Sequence, residues 1–369
     1  MKKLVLIDSN AIIHRAYHAL PKTMSTRAGE PTNAVYGFAT ALIKVLEDIK
    51  PDYIAASFDL AGPTFRHEAF AEYKATRVKA DQELYDQIPR VKEMLSIMEI
   101  PIYEKQGFEA DDILGTIAQK IQTSNLKPQT YNSKLKNKKK EQNQCKSVKE
   151  ISGGGVQIFI VSGDKDIFQL IDGNVKVYNL RRGLTDTQIV DREVIEKEYH
   201  LQPEDFIDLK ALAGDASDNI PGVPGIGDKT ATKLIQEFDT LEKLYRVLET
   251  QTSNLPPSSR LRRAGKPQTY NLKTDKLIKP RVIELLLKHK DQAFLSQKLA
   301  TIHKEVPIEF NLDDAKWGEY DKTNLRKFFE VLNFKSLLRR FGIIENDGVK
   351  SSGSSTEDQR RKDSQLKLL

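Results

Sequence analysis

The chain has 369 residues, 39% of them hydrophobic, with a single cysteine and a formal net charge of +6. That length suits one large domain or two, able to bury a sizeable core without covalent staples. Cys145 on its own excludes an internal disulfide and a thiolate metal site, which fits a reducing cytoplasm. No apolar run approaches the roughly 18 residues of a membrane-spanning helix, and the start runs straight into a strand rather than a signal peptide.

The positive charge is local. Residues 122–155 hold eight lysines against Glu141 and Glu150, and residues 251–279 hold seven basic residues against Asp275, so each segment is +6 and the remainder is −6. Contact with nucleic acid must therefore be argued from where basic groups lie, not from net charge.

In chain order, Lys3–Ile7 reads as a buried strand ending at Asp8, with a helix beginning at Ser9. His14 and His18 stand four apart on that helix, but no acid between them completes a zinc-protease pattern, so they read as surface or substrate-facing. Gly37–Ile49 reads as a second helix, stopped by Lys50-Pro51. Tyr53–Phe58 is the next strand and closes on Asp59. Beyond it, Pro63–Lys79 carries Arg66, Tyr73, Lys74 and Arg77, and the spacing predicts Lys74 and Arg77 on one helical face. A basic and aromatic segment leaving an acidic edge can hold phosphates and stack a base.

Glu109, Asp111 and Asp112 open a helix-like run, with Glu109 and Asp112 sharing a face. An isolated E-x-D-D is more often an acidic first turn. Here, however, carboxylates recur where other strands and loops end: Asp164 and Asp166 after Val156–Gly163, and Asp215 and Asp218 in Ala213–Asn219. In an open parallel sheet these ends converge on one edge. At an effective dielectric near 20, two carboxylates ~5 Å apart repel by ~3 kcal/mol. No Lys or Arg sits inside the short acidic motifs except Lys165, between Asp164 and Asp166, and oxygen-only donors point to Mg²⁺ or Mn²⁺ as the compensating charge.

Two stretches interrupt the pattern, near 122–155 and 251–273. Both contain Gln-Thr-Ser-Asn-Leu and Lys-Pro-Gln-Thr-Tyr-Asn, and they read as disordered, repetitive insertions in surface loops. Pro221–Ala231 is not a nucleotide-binding loop, because Asp228 displaces Lys229 by one position and no strand precedes it. Gly225 and Gly227 instead allow a tight turn whose amides, with Lys229 and Thr230, hold a phosphate without reading a base.

These pieces together resemble the 5' nuclease family, which includes the 5'-to-3' exonuclease domain of bacterial DNA polymerase I and the flap endonucleases. The likeness rests on Leu6-Ile7-Asp8, Phe58-Asp59, Phe65-Arg66-His67, Tyr73–Arg77, Gly107–Asp112, Ser162–Asp166, Gly214–Ala231 and Val331–Gly342. It implies an α/β fold, a mainly parallel twisted sheet flanked by helices and PIN-like, with a helical arch near 63–90 and a helix-hairpin-helix region. The expected organisation is a nuclease domain over 1–200, the hairpin region over 201–343 and a disordered tail over 344–369.

The resemblance assigns Asp8, Asp59, Glu109, Asp111, Asp112, Asp164 and Asp166 to a first metal, and Asp215 and Asp218, with Asp166 nearby, to a second. It gives Arg66, Lys74 and Arg77 catalytic roles at the phosphate, and Tyr17, Tyr73, Gly222, Gly225, Gly227, Lys229 and Thr230 roles in DNA binding. Two Mg²⁺, with Mn²⁺ as substitute, and a K⁺ at the hairpin are the implied cofactors. The implied substrates are DNA with 5' ends or flaps and RNA–DNA duplex, acted on by a cytoplasmic monomer with a separate DNA polymerase as partner. Since no polymerase pattern follows, the chain reads as free-standing or as a fragment. A DNA-binding protein that has lost catalysis would show broken acidic motifs, and a PIN-type ribonuclease would lack the arch and the hairpin.

Overall fold

The first apolar run forms β1 (Lys2–Asp8), central to one sheet with β2 (Tyr53–Ser57), β3 (Ile102–Tyr103), β4 (Val156–Ser162), β5 (Val175–Arg182) and β6 (Asp186–Val190). The strand order is β3-β2-β1-β4-β5-β6, and every neighbouring pair is parallel except β5 with β6. This is a computed structural model that describes residues 1–126, 155–253 and 278–343.

Helices follow as α1 (Ser9–Ala19), α2 (Asn33–Ile49), α3 (Phe65–Ala69), α4 (Gln82–Tyr85), α5 (Ile88–Ile97), α6 (Ala110–Leu126) and α7 (Arg192–Tyr199). The later ones are α8 (Asp205–Ala213), α9 (Asp228–Phe238), α10 (Leu241–Ser253), α11 (Pro280–Lys288), α12 (Lys290–Ala300), α13 (Lys322–Val331) and α14 (Lys335–Arg340). None of the described helices is long and apolar enough to cross a membrane.

Alternation along the central strands explains why they read as unbroken apolar runs. Leu4, Leu6, Ile158 and Ile160 point into one core with Ile113, Leu114 and Ile117 of α6. Val5, Ile7, Ile54 and Val161 point into the opposite core, against Ile12 and Ile13 of α1 and Phe38 and Leu42 of α2. Both faces are covered, so both must be apolar. The chain builds β2 and β3 on one side of β1 and then crosses to β4 on the other. Such a reversal opens a crevice beyond the carboxyl ends of β1 and β4.

The hairpin region is continuous with the first core through Leu212, Val223, Ile226 and Leu234. Residues after it return to the nuclease half: Leu325, Phe329 and Leu337 pack in the second core with α2 and α5. The end of the stretch 201–343 thus helps to cover the sheet of the nuclease half. Helix α6 runs on to Leu126 and α10 to Ser253, into the stretches assigned to the two insertions. The rest of those insertions, and the tail, lie outside the described residues.

The arch differs from its expected form. Helix α3 stops at Ala69, and residues 71–76 are successive turns. Lys74 has φ 56°, a left-handed conformation incompatible with a continuing helix, and its amide donates to Asp218 O at 2.9 Å. Lys74 and Arg77 thus share a destination rather than a helical face.

Candidate active site

Each acid of the first group is placed by a chain end. Asp8 closes β1, where its carboxylate accepts from Ala11 N at 3.1 Å and from Ser162 Oγ at 2.8 Å. Asp59 follows β2 and accepts from Ala110 N at 2.7 Å, capping the start of α6. Asp111 lies in the first turn of α6, and Asp164 follows β4 with its carboxylate accepting from Asp166 N. Asp8, Asp59, Glu109, Asp111 and Asp164, with His14, Lys74 and Arg77, line one cavity of about 220 Å³.

Electrostatics in this cavity are unfavourable for bare carboxylates. Burial, with Asp59 next in effect, pushes Asp8 up to about 7. Burial also lifts Asp111 far above the usual carboxylate range, against the opposing pull of Arg66, and Asp59 is raised by desolvation despite its open side. Groups so crowded take up either protons or a cation.

The second group is held differently. Asp166 begins a short 3-10 turn, and Asp215 and Asp218 stand in the loop after α8. Lys210, in the last turn of α8, pairs with both Asp166 and Asp215, the latter at 2.5 Å. Burial would raise Asp215, but Lys210 and the Ser217 hydrogen bonds outweigh it and hold it below the ordinary value. Asp166 is still pushed up to about 6, by burial and then by Asp164. Arg77 pairs with Asp218, and Lys74 Nζ donates to Glu109 at 2.6 Å. Burial disfavours the Lys74 cation, yet Glu109 and Asp218 prevail and keep it charged.

Cations from outside the acidic motifs thus supply part of the compensation that sequence reasoning reserved for metal. Lys210 was missed altogether; its signal was a lysine in the final turn of a helix, five residues before an acid. Among the described residues, no three His, Cys, Asp or Glu side chains draw around one point as they stand, and Glu109 and Asp215 are each engaged by a lysine. The donor set nonetheless fits a hard divalent ion: all oxygen, with Asp8 and Asp111 at an energetic disadvantage without one.

Several assigned residues are not in the cleft. Asp112 is fully buried and both its oxygens are committed, to Arg66 at 2.8 Å twice, to Glu109 N at 3.0 Å and to His303 N at 2.7 Å. It has no lone pair left for an ion, which corrects its place among the metal ligands. Arg66 is 2% exposed, so a direct catalytic contact with phosphate is corrected as well. Tyr17 is buried with its hydroxyl donating to Asp81 at 2.9 Å, and the buried Tyr73 hydroxyl donates to Glu109 at 3.1 Å. Neither ring is free to stack on a base.

At the hairpin, Gly222 is also buried. Its φ is 59°, and a Cβ there would come 2.2 Å from Gly214 N, so it allows two backbone segments to cross rather than touching DNA. Gly225, Gly227 and Lys229 are exposed, at the turn leading into α9. Gly225 has φ 86°, which suits glycine, and Gly227 caps α9. His14, held below the usual imidazole range by burial and by His18, lines the acidic cavity and a larger neighbouring one with Arg15 and His18.

Residues 3–131 match the 5'-3' exonuclease N-terminal resolvase-like domain, and residues 201–323 match the 5'-3' exonuclease C-terminal SAM fold. The chain belongs to the 5'-3' exonuclease family. It is 36% identical over 368 residues to DNA polymerase I of Bacillus subtilis, covering 100% of this chain and 34% of that protein. It is also 36% identical over 339 residues to DNA polymerase I of Bacillus caldotenax, covering 92% and 32%. The chain spans about a third of the length of those curated relatives. Its fold is shared with the T5 5'-exonuclease solved with divalent metal ions (zinc) bound, at a TM-score of 0.54, 19% identity, and 93% and 100% coverage. The catalytic core of Rad2 in complex with DNA substrate shares it too, at 0.53, 18%, and 93% and 92%.

Proposed function

We propose that this 5'-3' exonuclease chain hydrolyses phosphodiester bonds at DNA 5' ends and 5' flaps, and on RNA–DNA duplex, using two Mg²⁺ ions for which Mn²⁺ substitutes. The observation that carries the reading is the crevice at the carboxyl ends of β1 and β4, where Asp8, Asp59, Asp111 and Asp164 share a cavity with Lys74 and Arg77. Asp8, Asp59, Glu109, Asp111 and Asp164 would hold the first ion, and Asp166, Asp215 and Asp218 the second. When bound, such ions supply Lewis-acid stabilisation of the phosphate and lower the pKa of an attacking water.

The chain's own residues do the rest. Lys74 and Arg77 reach the cleft from the arch and offset charge that grows on the phosphate oxygens. The exposed turn of Gly225 and Gly227, with Lys229 and Thr230 at the start of α9, holds a duplex phosphate without reading sequence, and a K⁺ ion is proposed there. Similarity to DNA polymerases I supports a polymerase as the partner that fills the gap left behind.

A labelled 5'-flap duplex incubated with Mg²⁺ or with chelator tests this. Cleavage near the junction, giving 5'-phosphorylated fragments only with the ion, is expected. Equal cleavage with chelator rejects the reading.

A further inference from the structure

Residues 299–306 leave α12 and bind across the acidic helix. Leu299 O and Thr301 O accept from Arg66, each at 3.0 Å. Ile302 N donates to Gln169, His303 N to Asp112 and Val306 N to Thr116. At its other end α12 holds the hairpin, through Ser296 Oγ on Gly222 N and Gln292 on Gly222 O. Arg66 stands where the arch base, the acidic helix and this strap meet. Its Nε–H goes to Leu299 O, and its two terminal nitrogens go to Asp112, Glu109 and Thr301 O, which occupies all five donors.

We propose that the Arg66–Asp112 pair is a positioning hub: it binds neither ion nor phosphate, but fixes Glu109 at the cleft and locks the DNA-holding half to the acidic helix. Glu109 is the point of transmission, since it accepts from Arg66 at 3.3 Å on one side and from Lys74 on the other, while its amide donates to Asp112. The pair is tightly enclosed, with Arg66 2% and Asp112 0% exposed. Removing one partner leaves a buried, uncompensated charge, whereas replacing both with apolar groups of similar volume is often neutral. Without Asp112, the Arg66 cation turns on Glu109 and competes with the ion for it.

This assignment deepens the ion-site reading, and its tests separate from nuclease activity. Mn²⁺ affinity, followed by electron paramagnetic resonance, is expected to fall about tenfold in Asp112→Leu, as for loss of a supporting partner of a metal ligand. In Arg66→Met/Asp112→Leu it is expected to recover in part, because the unpaired Arg66 cation no longer competes for Glu109, although Glu109 has lost both its anchors. A double variant that folds and binds Mn²⁺ as weakly as the single one overturns the proposal, because loss of a direct ligand is not restored by removing an arginine.

A crystal of the unaltered protein soaked in manganese decides the matter if the double variant does not fold. Mn²⁺ in the cleft with both Asp112 oxygens still on Arg66 supports the hub. Mn²⁺ bonded to Asp112 overturns the hub alone, and no Mn²⁺ anywhere in the cleft overturns the ion reading with it.

Discussion

Asp8 and Asp215 stand in two different kinds of structure, a strand end and a loop, and their chemistry diverges accordingly. Asp8 is fixed at a strand end, buried among other acids, and its carboxyl is pushed up to about 7. Asp215 sits in a loop where Lys210 and Ser217 hold it below its ordinary range. The strand ends create an unmet demand for positive charge, while the loop site meets that demand from within the chain. Residue type alone therefore does not define an ion site; the surrounding cations set how strongly it calls for one.

The largest effect should come from the strand-end group. Asp8→Asn is expected to lower the cleavage rate by roughly 10²–10³-fold, with duplex binding in Ca²⁺ little changed. It should also raise the melting temperature of the ion-free protein at pH 8, because it removes an unfavourable charge. A variant that loses activity and melts lower would instead indicate damage to the fold.

Next come the arch cations. Lys74→Ala and Arg77→Ala should each lower kcat by roughly 10- to 100-fold with a smaller change in KM. An effect confined to KM would place these cations in ground-state binding only. At the loop site, Lys210→Met should destabilise the ion-free protein by about 1–3 kcal/mol through the unpaired Asp166 and Asp215, measured by urea unfolding. Added Mg²⁺ should recover most of that loss, so a deficit of equal size with and without Mg²⁺ contradicts the role given to Lys210.

The contrast also fixes a pH dependence. For Asp8 and Asp166, raised to about 7 and about 6, the folded state binds more protons than the unfolded one between the ordinary value near 4 and those pKa values. Their contribution to stability is full below about pH 4 and is lost as pH rises through 6 to 7. Asp215 has the opposite sign: its contribution is present above the ordinary carboxylate range and is lost as pH falls through its lowered pKa. Stabilisation by Mg²⁺ should therefore be greater at pH 8 than at pH 5.5, seen in paired thermal melts. The smallest effect is at the hairpin, where Lys229→Ala should weaken duplex binding modestly and reduce the salt slope by about one.

Much of the scaffold was legible because buried parallel strands leave continuous apolar runs, and Asp8, Asp59 and Asp164 follow those runs directly. The pairing of Glu109 and Asp112 on one face was also legible. What that face meets was not, since Arg66 arrives from 43 residues before Glu109. Adjacent Asp111 and Asp112 point in different directions on α6, and the motif carries no mark of which one faces the cleft. Lys74 leaves helical geometry because its amide is captured by Asp218, a tertiary bond that overrides local propensity. Lys210 showed only its nearness to Asp215 in the chain; its pairing with Asp166 comes from folding alone.

Counting Mn²⁺ ions by resonance titration of the unaltered protein and of Asp8→Asn, both at pH 8, tests the central claim that strand-end carboxylates form an ion centre. The account predicts two ions on the unaltered chain, with the tighter one lost or weakened in the variant while the protein stays folded. Identical titrations for the two proteins, or no binding by either, would contradict it.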